Sequence, residues 1–199
     1  MNRLRLVSAL APFALAVLTA SAVPAHAADE GAGLENGRVD VALVDVKDSD
    51  TQMVVVRAIV DSPPAKVWKI VSDCATYKEH MPRIAASKLV KKDGSKVTCQ
   101  VTISVPFPMA NLTAVTEAVH DENPAKMSRR WKLVSGDYEF NEGSWEIAPY
   151  KGGASSLVTY KVHAKPKTSV PGFLKNMAQK KALPELIERV REEAAKVGK

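Results

Sequence analysis

The sequence predicts an α+β domain in which one antiparallel sheet of seven strands wraps around a long C-terminal helix. Three observations lead there. Runs of alternating apolar and polar residues recur through the middle of the chain, separated by short, turn-rich breaks. A short apolar helix follows the first strong strand. One amphipathic stripe closes the chain, the only helical segment large enough to cover the sheet's apolar face.

Residues 1–27 read as a secretory signal peptide. Arg3 and Arg5 precede an Ala/Leu/Val run from Leu6 to Leu18, and Ala25-His26-Ala27 fits the small-x-small rule of signal peptidase. Export to a periplasm or outside the cell follows. Residues 28–50 read as a leader, loose from Ala28 to Gly37, with a possible short strand in the weakly alternating Val39 to Val46. The domain proper occupies 51–199.

Gln52 to Val60 is a Val-rich strand. Ser62 is a candidate N-cap, and Pro63-Pro64 suits a first helical turn, so Pro64 to Ser72 is a short helix. Tyr77 to Met81 is a second helical turn stopped by Pro82. The remaining strands are Ala85 to Val90, Val97 to Val105, Leu112 to His120, Lys126 to Val134, Tyr138 to Ile147 and Ser156 to Ala164. Short links make neighbours antiparallel. The closing helical segment has apolar Leu174 and Met177, then Leu183, Leu186, Ile187, Val190, Ala194 and Val197, the last six spaced as one amphipathic stripe. Pro184 should kink it near Lys180 or restart it there.

The chain carries 28 basic and 22 acidic residues, a net charge of +6, which falls to +4 once Arg3 and Arg5 leave with the signal segment. Such a mild excess permits contact with anionic lipid. Its basic pairs, Lys91-Lys92 and Lys180-Lys181, are too short to form a nucleic-acid patch, so no nucleic-acid partner is expected. Cys74 and Cys99, in an oxidising compartment, are either a disulfide or two buried thiols, and no CxxC spacing points to metal.

No nucleophile elbow, metalloprotease helix or phosphate loop is present, and no metal or cofactor is expected. His80 could point into a cavity mouth, while His120 and His163 stand near strand ends. Glu117 sits in a Thr/Ala/Val strand and either anchors a ligand head group or faces water. Trp131 and Leu133 alternate with Arg130 and Lys132, and Trp145 and Ile147 with Ser144 and Glu146; both pairs therefore face inward. In a meander, alternate turns share one end of the sheet. Phe107 and Met109 between prolines, Ser135-Gly136-Asp137, and the segment with Lys165, Lys167, Val170 and Phe173 should thus meet at one entrance.

Four stretches together resemble a known superfamily. They are IVDSPPAKVW at 59–68; Ser72-Asp73 with Tyr77 and Met81-Pro82; WKLVSGD at 131–137; and GSWEI at 143–147, leading through Gly152-Gly153 to Leu157–Tyr160. In order and spacing they resemble the START-like, or polyketide cyclase/dehydrase-like (SRPBCC), superfamily, nearest in pattern to coenzyme-Q-binding START proteins. The resemblance covers about 54–197 and implies a helix-grip fold with an apolar cavity between sheet and helix. It implies binding of a lipid, sterol, quinone or polyketide there. The expected lining is Trp68, Val101, Ile103, Trp131, Leu133, Trp145, Met177 and Leu186, with Phe107, Met109, Val170 and Phe173 at the entrance. The reading is an exported carrier of a hydrophobic small molecule, a lipid, making transient contact with membranes. The alternatives are a cyclase or aromatase using Tyr77, His80 or Glu117 as acid or base, and a protein-binding module with a filled core.

Overall fold

The computed structural model describes residues 31–107, 109–172 and 181–198. Residues 1–27, read above as a signal peptide, and Phe173 and Met177, lie outside the described residues.

Eight strands, not seven, form the sheet: β1 (Val39–Val44), β2 (Met53–Val60), β3 (Ile84–Asp93), β4 (Lys96–Ile103), β5 (Leu112–Asp121), β6 (Met127–Gly136), β7 (Tyr138–Tyr150) and β8 (Ser155–Pro166). All neighbours are antiparallel, in the order β1-β2-β8-β7-β6-β5-β4-β3. The extra strand is the one the sequence left in the leader. A turn after Val46, with Asp48 at positive φ, returns the chain so that Val39 pairs with Ala58 and Val44 with Met53. Val39 and Val41 then pack against the core. Nor is the described part of the preceding segment loose. Leu34 is buried against Ile59, Tyr150 and Leu157, and the Tyr150 hydroxyl donates to Glu35.

Among the described residues three helices meet the concave face: α1 (Pro64–Ser72), α2 (Tyr77–His80) and α3 (Leu183–Lys196). Helix α1 buries Val67, Trp68, Ile70 and Val71. Its N-cap is Pro63 and not Ser62; no side chain caps it. Ser62 is instead buried in the turn, where its carbonyl accepts a hydrogen bond from Ser156 Oγ at 2.6 Å. Pro64 in the first turn loses no N–H bond the helix needs.

Helix α3 buries Ile187, Val190 and Ala194. Pro184 falls in its first turn, and the expected bend near Lys180 falls on residues outside the described set. Arg191 fastens the helix to the sheet, donating from Nε and Nη2 to the Ile59 carbonyl and from Nη1 to that of Gly37. Cys74, in a 3-10 turn between α1 and α2, is joined by a disulfide to Cys99 of β4, with Cα atoms 6.2 Å apart.

The concave face is thereby divided. Toward the β2–α1 end, Val60, Val97, Ala118, Ile147 and Val158 from the sheet meet α1 and α3 in a solid core. Toward the other end the described helices no longer fill the curve.

Candidate ligand cavity

At that second end, sheet and α3 part around a cavity of about 490 Å³. Strand residues of matching parity make its wall: Val101 and Ile103 of β4, Ala114 and Thr116 of β5, Arg129 and Trp131 of β6, Trp145 of β7, Tyr160 and Val162 of β8. Leu183 and Leu186 of α3 cover it, and Tyr77 of α2 stands beside them. Val105, Pro106, Met109 and Val170 line it from the loops, and Pro166 from the end of β8. Backbone bonds hold these loops at one end, as the meander predicts: Ser104 N–H donates to Arg83, Asp137 N–H to Thr113, and Lys167 N–H to Asp137.

The aromatic wall depends on a glycine. Gly143 lies opposite Trp131 in the β6–β7 register. A Cβ there would come within 2.5 Å of the indole and 2.2 Å of the Lys161 carbonyl. Only a residue without a side chain lets the indole lie on the strand. Trp131 then stacks on Tyr160 with ring centres 5.9 Å apart, Tyr160 meets Trp145 at 4.5 Å, and Trp131 Nε1 donates to Asn141 at 3.0 Å.

Of the lining expected from sequence, Val101, Ile103, Trp131, Trp145 and Leu186 are in the wall. Trp68 is not. Helix α1 lies over the filled half, and its indole packs edge-on to His120 at 5.2 Å in the solid core. Leu133 is not in the wall either. It adjoins the register shift between Val115 and Thr116 and packs with Leu112, Ala114 and Tyr138. Met109 and Val170 line the entrance; Phe107 stands outside it, 92% exposed, next to Pro106.

Sequence reasoning missed Arg129, Tyr138, Asn141, Tyr160 and Thr116, all of which line the cavity. Arg129 was findable, since it shares strand parity with Trp131.

The candidate acid–base residues do not converge. His80 Nδ1 pairs with the buried Glu193 of α3 at 2.8 Å and ties α2 to α3. The Lys196 hydrogen bond, then that of His80, hold the Glu193 carboxyl below its ordinary value against its burial. Glu117 is exposed and lies 3.9 Å from Lys96, so it faces water. Tyr77 is in the wall, but its hydroxyl donates to the Val71 carbonyl, and burial raises its pKa against the opposing Arg129 charge. Burial likewise pushes Tyr138 up to about 12, with the Asp137 charge adding, and raises Tyr160. The wall's phenols therefore remain protonated at neutral pH.

The chain can now be set beside known proteins. A family model described as polyketide cyclase / dehydrase and lipid transport matches residues 60–191. Among solved structures the chain is similar to a STAR-related lipid transfer protein from Xanthomonas axonopodis, at 20% identity and a TM-score of 0.68, over 79% of this chain and 94% of that one. It is similar to human StAR-related lipid transfer protein 5 at 9% identity and a TM-score of 0.69, over 79% of this chain and 82% of that one. It is also similar to the Zhui aromatase/cyclase from Streptomyces sp. R1128 at 13% identity and a TM-score of 0.58, over 72% and 93%. At these identities the likeness is one of fold. No curated protein matches the chain in sequence. The family match runs from the end of β2 through every cavity strand to most of α3, and by it the chain belongs to the polyketide cyclase / dehydrase and lipid transport family.

Proposed function

We propose that this protein binds a hydrophobic small molecule, a lipid, and carries it between surfaces outside the cytoplasm. The cavity carries the reading: about 490 Å³, walled mainly by carbon and lined by loops at one end. That volume lies in the range of small-molecule sites. An apolar ligand entering it gains roughly 25 cal/mol for each Å² removed from water. The signal-like segment 1–27 supports the exported setting. Among the described residues the wall offers tyrosines held protonated and no histidine or carboxylate, which favours binding over acid–base turnover.

The exposed Phe107, next to Pro106 and two residues from Met109, suits contact with a membrane surface, and the chain's net charge of +6 suits an anionic one. The test is a transfer assay with a fluorescent lipid in anionic vesicles, beside a titration of tryptophan emission with a soluble apolar probe. The wild type should take up the probe and transfer lipid. Phe107→Asp should slow transfer several-fold and leave probe binding unchanged. If sterols, quinones and phospholipids all fail to bind or move, the carrier reading is wrong.

A further inference from the structure

Arg129 is only 4% exposed, yet it stands in the wall of an apolar cavity. A guanidinium has five N–H donors, and burying one without a counter-charge is costly. The fold supplies little in return. Nη2 donates to the Cys99 sulfur at 3.6 Å, a weak acceptor, and Nε is sealed from solvent with no partner among the described residues. No carboxylate of a described residue lies within 4.0 Å of the guanidinium. The segment 173–180 contains no Asp or Glu at all. What holds the cation is aromatic: its central carbon lies 5.5 Å from the Trp131 ring centre and 5.9 Å from that of Tyr77.

The position of this charge is informative. Arg129 lies in a row with Tyr160, Trp145 and His120 across four strands. It is two residues nearer the filled half than Trp131. Arg83 also lines the cavity, but its Nε and Nη2 are paired with Glu185; Arg129, at the inner end, is the lining cation whose hydrogen-bonding capacity is mostly unspent. A neutral sterol or quinone would leave that capacity unspent. A chain ending in an anion would satisfy it with a fork-shaped, charge-assisted pair.

Accepting the carrier reading above, we propose that the ligand is an amphiphile with a single anionic head, carboxylate or phosphate, which enters head first and pairs with Arg129. The entrance residues Ile84, Ile103, Val105 and Met109 then contact its tail.

Three ligands with the same twelve-carbon tail decide the matter: dodecanoic acid, dodecyl phosphate and dodecanol, each titrated against tryptophan emission at neutral pH. Trp131, against the guanidinium, is the reporter. At least one of the anions should bind about ten- to hundredfold more tightly than the alcohol, as expected for a hydrogen bond to a charged group. Which anion is preferred tells a carboxylate ligand from a phosphate one. In Arg129→Met the preference should vanish while dodecanol still binds. Should that variant fail to fold, the wild-type comparison stands by itself. Equal or tighter binding of the alcohol by the wild type overturns the proposal and leaves the carrier reading intact, as does an anion preference that survives in Arg129→Met. Failure of all three ligands and of a neutral apolar probe overturns the carrier reading and this one with it.

Discussion

His120 shows how one half-buried side chain sets an acid limit on the fold. Its Nε2 is sealed without a partner among the described residues, and its ring meets the edge of Trp68. An unfolded histidine takes up its proton near pH 6.5; here burial first, and the Arg129 charge second, hold it down to about 4, with Lys92 adding and Glu122 opposing. Between those values the unfolded chain binds the extra proton. Stability should therefore fall as pH drops from about 6.5 to about 4, with the His120 contribution complete above that window. Urea midpoints at about pH 7 and about pH 5 test this, and the drop should be smaller in His120→Phe. An equal drop in both proteins would assign the acid sensitivity elsewhere. At this scale the sequence was readable where strand parity is unbroken, as at Val101, Ile103, Trp131 and Trp145. It failed at Leu133, beside a register shift that no local pattern announces. Arg129 went unnoticed because a charged residue on an inward parity is ordinarily at a strand end, and here it is in the wall.

Neighbouring residues of α3 have opposite duties. Ile187 is fully buried in the filled half, and Leu186 faces the cavity. Truncating Ile187 leaves a hole that packed neighbours cannot close, so Ile187→Ala should cost about 2–5 kcal/mol. Leu186→Ala enlarges a space that already exists and should cost distinctly less, while weakening uptake of an apolar probe. Chemical denaturation and probe titration of the two variants measure both halves of this expectation; similar stability losses would refute the division. The elements themselves were largely legible, because period-two strands and turn residues are local signals. Strand β1 was legible only as a possible short strand, and was left out of the sheet, because its outer residues Leu43 and Val44 are apolar and exposed, which blurs the alternation. The Ser62 cap was misjudged because the Ser62 carbonyl is engaged by a residue 94 positions away.

On the scale of the whole molecule, the fold class was legible because seven strands followed by one stripe leave few ways to cover an apolar face. The existence of a cavity came only from resemblance, since the same residues could have packed solidly. The reason they do not is visible in the halves. Helix α1 packs into the filled end and the disulfide between Cys74 and Cys99 ties its following turn to β4, while at the other end sheet and α3 part around the cavity. The hollow has a mechanical consequence. Unfolding lets water occupy space that side chains leave unfilled, so the unfolded state has the smaller volume and hydrostatic pressure favours it. A hollow of about 490 Å³ makes this protein soft to compression. A ligand that occupies the hollow should raise the pressure at which tryptophan fluorescence reports unfolding, by more than its effect on the urea midpoint at ambient pressure would imply.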